Sequence, residues 1–421
     1  MSASTSDPST GTGAAGAGAT GAAAVSRESI LDATRLLEGV VARTPVESCR
    51  ALSELTGQPV HLKCENLQRA GSFKVRGAYV RMARMSPEER RHGVVAASAG
   101  NHAQGVALAA RALGIHAVVY MPTDAALPKV AATREYGAEV RLVGSSVDDA
   151  LAAAHQDARA TGATLIHPFD HADIIAGQAT IACEILEQVP DVRTVLAPVG
   201  GGGLVAGLVA AFGHLAPHVR VVGVQAERMA AYPASLAHGA PQAVRPRSTM
   251  ADGIAVGMPG QVPFDIIAAG RAEVTTVSEE HLSRSLLMVA ERTKLLVEPA
   301  GAAGVAALLA APDAYEGPVV CVLSGGNIDP VVLLRVVRHG LASAGRYLEV
   351  RVILTDRPGA LAHLMLDLAE VGGNVMHVEH VRTGPHLAID EVEVVAQVET
   401  KGPEHCAALL EHLRAEGYVV P

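Results

Sequence analysis

The sequence predicts an α/β protein with parallel sheet in two halves of different size, followed by a smaller module with a βαββαβ order. Three observations carry that prediction. Between about residues 60 and 325, short Val- and Ala-rich runs alternate with Ala/Leu-rich helical stretches, joined by polar or glycine-rich loops. Repeated units of this kind build a mostly parallel sheet with ligand sites at the carboxyl ends of its strands. Hydrophobic residues make up 49% of the chain, yet aromatics are only 3% and Trp is absent, so the core is built from Ala, Val, Leu and Ile. At 421 residues the chain exceeds one ordinary domain and can bury more than one core.

Taken in order, residues 1–25 are rich in Gly, Ala, Ser and Thr. They cannot offset the entropy of ordering and are expected to form a disordered tail. Apolar positions Ile30, Ala33, Leu36, Leu37 and Val40 recur at helical spacing, which predicts a helix over 27–41 ended by Thr44-Pro45. A second helical segment near 52–56 stops at Gly57, and 60–63 reads as a strand. Strands are then predicted at 93–97, 117–121, 139–143 and 164–166, with helices to Leu113, over 126–136 and over 147–161. The second run has helices at 176–188 and 204–215 and strands at 194–199, 219–225 and 319–323. The two halves are economically read as subdomains of one domain, 26–342, the smaller at about 65–166 inserted in the larger, with the active site between them.

From residue 346 the pattern changes. Strands at 348–354, 374–381, 389–398 and 418–420 and helices at about 360–371 and 403–416 give the βαββαβ order of a ferredoxin-like module.

Net charge is −9 with no basic block, which argues against nucleic acid as a partner. The five cysteines (Cys49, Cys64, Cys183, Cys321, Cys406) show neither CxxC spacing nor a cluster and read as reduced, cytosolic and structural. No basic start with an apolar core marks a signal peptide, and no apolar run approaches bilayer length. A soluble, cytoplasmic protein acting on small molecules is expected.

Four stretches carry chemistry. The first, residues 65–78, has Lys74 near its centre, one of only five lysines against a large excess of arginine. Arginine cannot lose its proton in a protein, whereas a desolvated lysine can become a neutral amine and form a Schiff base. Ser72 is placed to cap a helix starting at Phe73, with Lys74 in its first turn. The alternative for Lys74 alone is a surface lysine. The second stretch is the tetraglycine Gly200, Gly201, Gly202 and Gly203, between a buried strand and a helix starting at Leu204. Glycines let backbone N–H groups crowd a phosphate, and the helix start adds partial positive charge. No spaced G-x-G-x-x-G with a following ribose acid is present to suggest a dinucleotide. The third, Ser98 to Gly105, offers N–H groups and the Asn101 amide to a carboxylate and a phenolic oxygen; simple capping by Asn101 and His102 is its other reading. The fourth, Ser324-Gly325-Gly326-Asn327, ends the last buried strand and could be an ordinary turn.

Together, in this order, these stretches resemble the serine/threonine dehydratase branch of the pyridoxal 5′-phosphate (PLP) enzymes of the tryptophan-synthase-β fold type, over roughly residues 27–340. Thr249 to Val256 and Glu298-Pro299-Ala300-Gly301-Ala302 are similar to that branch as well. The resemblance implies that Lys74 forms the internal aldimine, Phe73 packs beside the ring, Asn101 bonds the phenolic oxygen, Gly200 to Gly203 with Leu204 hold the phosphate, and Ser324 faces the pyridine nitrogen. It places the substrate carboxylate on Ser98, Gly100, Asn101 and His102. The implied reaction is α,β-elimination from L-threonine or L-serine to a 2-oxo acid and ammonia, with the freed Lys74 amine as the Cα base. A neutral Ser324 hydroxyl cannot keep the pyridine nitrogen protonated, which favours elimination over transamination.

Two departures matter. Serine racemases of the branch carry a serine where this chain has Ala99, so little racemisation is expected. Some relatives bind a divalent cation through a glutamate and an aspartate; Glu227 matches, but Ala230, Ala231, Tyr232 and Pro233 follow, and no metal is assigned. The C-terminal module, with Asp356-x-Pro358-Gly359-x-Leu361 at its first turn, resembles an ACT domain at 346–421. That implies regulation by a small ligand, with isoleucine or valine feedback in isoleucine biosynthesis as one version, and a homo-oligomer, dimer or tetramer. Alternatives are a β/γ-replacement enzyme, a serine racemase or a non-catalytic amino-acid-responsive regulator.

Overall fold

The computed structural model describes residues 25–384 and 386–420. The tail expected at 1–25 lies outside them except for Val25, which is buried in the core. The chain divides into two compact units, Met1–Asp329 and Pro330–Pro421. Among the described residues no helix is long and apolar enough to cross a membrane.

Among the described residues the first unit has ten strands: β1 (Val46–Ser48), β2 (Val60–Lys63), β3 (Val94–Ala97), β4 (Ala117–Met121), β5 (Glu139–Leu142), β6 (Thr164–Leu165), β7 (Thr194–Pro198), β8 (Arg220–Ala226), β9 (Glu273–Val277) and β10 (Val319–Val322). They form two sheets, one of six strands in the order β1-β2-β10-β7-β8-β9 and one of four in the order β5-β4-β3-β6. All pairings are parallel except β1 with β2. The four-stranded sheet is contributed by a continuous stretch of chain between β2 and β7 of the larger one. Central strands β4 and β7 are buried at every position, as parallel strands covered on both faces must be.

Four helices position the site: α1 (Lys74–Ala83), α2 (Asn101–Leu113), α3 (Ala172–Gln188) and α4 (Gly203–Leu215). Each of α2, α3 and α4 begins just past the carboxyl end of a strand, and their crossings are made by glycine. A Cβ on Gly105 of α2 would lie 3.0 Å from the Lys74 carbonyl carbon, one on Gly177 of α3 2.6 Å from Gly77 Cα, and one on Gly207 of α4 2.7 Å from the Ala179 nitrogen. Backbone therefore touches backbone where α1 meets α2 and α3. Under α1 lies a buried ionic cluster. Arg76 donates to both oxygens of Glu65, at 2.9 and 2.8 Å, and to Glu184 at 2.7 Å, while Lys63 pairs with Glu184 and donates to Gln188.

The structure corrects several expectations. The first helix stops at Leu37, before Gly39 takes φ 74°, rather than running to Val41. Ser72 does not cap the helix: α1 begins at Lys74, Phe73 holds the N-cap position without a side-chain cap, and the buried Ser72 hydroxyl has no hydrogen-bond partner among the described residues. Its backbone instead bridges to Gly325, which pulls the residue off the helix axis. Between Gln225 and Val319, where the sequence marks only motif loops, lie β9 and the helices Gln261–Ala269 and Glu279–Thr293.

The second unit has a helix Pro330–Ser343, then β11 (Tyr347–Thr355), a helix Ala360–Glu370, β12 (Asn374–Val381), β13 (Glu391–Glu399) and a helix Pro403–Ala415. The sheet is antiparallel in the order β11-β13-β12. One face buries Val350, Val352, Val394 and Ala396 against Leu364, Leu368, Leu409 and Leu413. The strand expected at 418–420 is reduced to a single antiparallel bridge, Ile353 with Val419, which sits on the open edge of β11.

Candidate active site

At the carboxyl ends of β3 and β7 the two sheets of the first unit enclose a cavity of about 700 Å³. All twelve residues singled out in the sequence line it: Phe73, Lys74, Ser98, Gly100, Asn101, His102, Gly200 to Gly203, Leu204 and Ser324. Parallel topology explains the convergence, since loops after neighbouring strands open on the same side.

Lys74 is half-buried, its stem enclosed and its Nζ on the cavity, donating to the Pro168 carbonyl at 3.2 Å and lying 5.1 Å from the Phe73 ring centre. Desolvation pulls its pKa from 10.5 to about 8, against the opposing charge of Glu298. About a tenth of Lys74 is thus neutral amine at pH 7, the form that attacks carbonyl carbon.

The tetraglycine is a cradle that side chains would fill. Gly202 has φ 106°, open to glycine at little cost. A Cβ on Gly200 would lie 3.1 Å from Ile254 Cα, and one on Gly203 3.0 Å from Phe169 Cβ. The Gly201 carbonyl accepts from the Tyr232 hydroxyl at 3.2 Å and from the Gly260 N–H at 3.1 Å. Helix α4, starting at Gly203, adds the favourable end of its dipole for an anion.

In the third loop, the Gly100 N–H donates to Ser98 Oγ at 3.1 Å. Asn101 donates to Glu298 Oε1 at 2.6 Å and accepts from Asn327 at 2.8 Å. The buried His102 ring bonds the Ile166 carbonyl through Nε2 at 2.8 Å, and burial, helped by the Lys74 charge, drives its pKa to about 3. His102 is therefore a neutral imidazole turned to the protein, and what it offers an anion is its backbone at the start of α2. Ser324 is buried, and its carbonyl accepts from the Phe73 N–H at 3.2 Å, tying the last strand to the lysine turn.

Sequence reasoning missed Glu298, Asn327, Phe169 and Lys129 as parts of this site. Glu298 is 4% exposed, and burial, then repulsion from Asp252, raises its pKa to about 7. Its loop stands out in the chain, but nothing in the sequence says that this carboxyl faces a cavity. Lys129 pairs with Asp252 at 3.0 Å across the lining; the rarity of lysine was the one available signal.

A glycine-lined cradle at a helix start, a desolvated lysine beside an aromatic ring, and amide and hydroxyl groups around one cavity suit pyridoxal phosphate. Comparison with known proteins identifies the class: residues 37–325 match the family of pyridoxal-phosphate dependent enzymes. The chain belongs to this family, and its cofactor is pyridoxal phosphate. It is 44% identical over 396 residues to L-threonine ammonia-lyase of Thermotoga maritima, covering 94% of this chain and 99% of that one. Among solved structures, the processed form of threonine deaminase isoform 2 from Solanum lycopersicum superimposes with a TM-score of 0.71 at 33% identity, over 74% of this chain and 88% of that one. Serine racemase from Dictyostelium discoideum does so with 0.68 at 33% identity, over 73% and 99%. The fold is that of tryptophan-synthase-β-like PLP enzymes, as the sequence predicted.

Proposed function

We propose that this chain is an L-threonine and L-serine ammonia-lyase, releasing ammonia and 2-oxobutanoate from threonine or pyruvate from serine. The near full-length similarity to a protein named for that activity supports the class. The observation that carries elimination over racemisation is the composition of the cavity wall: Lys74 offers an amine, while the position that would supply a second acid/base is Ala99, whose methyl has no ionisable hydrogen.

Pyridoxal phosphate, when bound, supplies a conjugated ring that takes up the electron pair left at Cα. In this reading Lys74 is the residue joined to it, with Phe73 beside the ring, Asn101 at the phenolic oxygen, Ser324 at the pyridine nitrogen, and Gly200 to Gly203 with Leu204 around the phosphate. Ser98, Gly100, Asn101 and the backbone of His102 hold the substrate carboxylate. Once the substrate's amino group has taken its place on the cofactor, the freed Lys74 Nζ would accept the Cα proton as a neutral amine, a form that its lowered pKa makes accessible.

The domain reading is a catalytic domain at 26–342, its smaller part at about 65–166, and an ACT-type regulatory domain at 346–421. Supporting the latter, Gly359 adopts φ 91° at the head of the helix Ala360–Glu370, where the Asp356-x-Pro358-Gly359 turn lies. A small amino-acid effector, a homo-oligomeric state and a cytoplasmic location complete the proposal. Purified protein given L-threonine should yield equimolar 2-oxobutanoate and ammonia, and Lys74→Ala should lose both turnover and the visible cofactor band. Retained deamination in that variant, or D-serine formed from L-serine as fast as pyruvate, would overturn the reading.

A further inference from the structure

Asn101 and Glu298 line the cavity and form, with Asn327, a row of three polar side chains with a definite direction. Asn327 Nδ2 lies 2.8 Å from the Ala70 carbonyl and 2.8 Å from Asn101 Oδ1, the acceptors of its two N–H groups, with Gln104 Oε1 beside them at 3.1 Å. A backbone carbonyl can only accept, so Ala70 fixes which end of the Asn327 amide faces inward. The Asn101 oxygen must then face Asn327, and its NH₂ must face the other way. There it meets Glu298 Oε1 at 2.6 Å. Asn101 is left with one remaining N–H, directed by partners on both sides.

Two glycines make room for the row. A Cβ on Gly71, itself at φ 68°, would lie 2.8 Å from Asn327 Cγ; one on Gly325 would lie 3.0 Å from Asn101 Nδ2 and 3.1 Å from Glu298 Cδ. Glu298 is anchored by its own N–H to the Gly325 carbonyl at 3.0 Å, and Gly326 N–H bonds Gly71 O at 2.9 Å. The lysine turn, the α2 start, the Glu298 loop and the end of β10 thus close on one another around this amide. A carboxamide with no such partners could present either its oxygen or its NH₂ to a ligand, and a phenolate oxygen accepts only from NH₂.

We propose that Asn327 and Glu298 are positioning residues of the cofactor site, which together hold the Asn101 carboxamide in the one flip that presents an N–H to the cofactor's phenolic oxygen. The proposal rests on the reading that Asn101 contacts the cofactor. Glu298 acts as an acceptor in both of its protonation states, so Glu298→Gln retains the contact whereas Glu298→Ala loses it. Asn327→Asp keeps shape but removes the donor, turning an acceptor toward the Asn101 oxygen.

The test is a double-mutant cycle on the full chain, reading the dissociation constant of pyridoxal phosphate and the position of the bound cofactor's visible band. Asn101→Ala should weaken binding about tenfold and move the band, the share of one hydrogen bond to a charged group. Asn327→Asp and Glu298→Ala should move the band in the same direction, and Asn101→Ala/Asn327→Asp should be no worse than Asn101→Ala alone. Glu298→Gln should restore the wild-type band. Additive losses in the double variant, or an unmoved band in Asn327→Asp and Glu298→Ala, would overturn the proposal. An unmoved band in Asn101→Ala would overturn the underlying reading instead, which keeps the two failures distinct. Should Glu298→Ala not fold, Asn327→Asp and the cycle still decide.

Discussion

Replacing Glu298 by glutamine should change how stability depends on pH, by an amount the structure sets. Burial, then repulsion from Asp252, raises the Glu298 pKa from 4.5 to about 7 in the folded chain, while the unfolded chain keeps the ordinary value. A carboxyl whose folded pKa lies above its unfolded one makes the folded state bind more protons between the two, so stability falls as pH rises through that window. The gap, about 2.5, corresponds to a cost of about 3 kcal/mol once pH exceeds 7, at about 1.4 kcal/mol for each step of one. By the same linkage the cost is only about 1 kcal/mol at pH 5.5. Glutamine keeps the size and the acceptor for Asn101 but never ionises, so its constant offset drops out when two pH values are compared. Urea unfolding of the cofactor-free chain, wild type against Glu298→Gln, should show the variant gaining about 2 kcal/mol between pH 5.5 and 8.5. A difference that stays flat over that range would refute the claim that an ionising Glu298 is held in a desolvated wall.

Two further outcomes can be checked. Gly202→Ala forces a side chain into φ 106° and against Pro263 Cβ at 2.7 Å; strain of about 1–2 kcal/mol should appear as an approximately tenfold or greater loss in cofactor affinity, measured by equilibrium dialysis, with unchanged far-ultraviolet circular dichroism. Arg76→Leu leaves the fully buried Glu65 without its guanidinium partner and should cost about 3–5 kcal/mol, seen in urea unfolding; adding Glu65→Gln should recover part of that loss.

Much of this architecture was legible in the chain because its strands are short, apolar and bounded by turn residues. Val60–Lys63, Ala117–Met121, the helix Val147–Thr161 and Asn374–Val381 fall where their periodicity put them. The edge strand β9 escaped because Glu273–Val277 is only partly buried and reads as polar. Tyr418 to Val420 has the alternation of a strand, but a single bridge to Ile353 is what forms. At the cavity, motifs named the loops, and parallel topology brought those loops together. Asn327 and Glu298 stand in stretches the motifs quoted, but no motif gave either of them a task. Glu298 and Asn327 act through side-chain directions fixed by contacts of long sequence separation, and Ser72 was misread because its pull toward Gly325 is likewise non-local.

The glycine crossings of α1 with α2 and α3 have a consequence for how this protein can drift. Where helices meet through side chains, each exchange of a methyl group nudges the axes and whatever they carry. Here Gly105 and Gly177 set the spacing by main chain against main chain, so the position of the Lys74 amine is inherited from peptide geometry. Valine, leucine and isoleucine can trade places in the surrounding core over many generations while the nucleophile stays put, and the tolerance of the core ends abruptly at those two glycines.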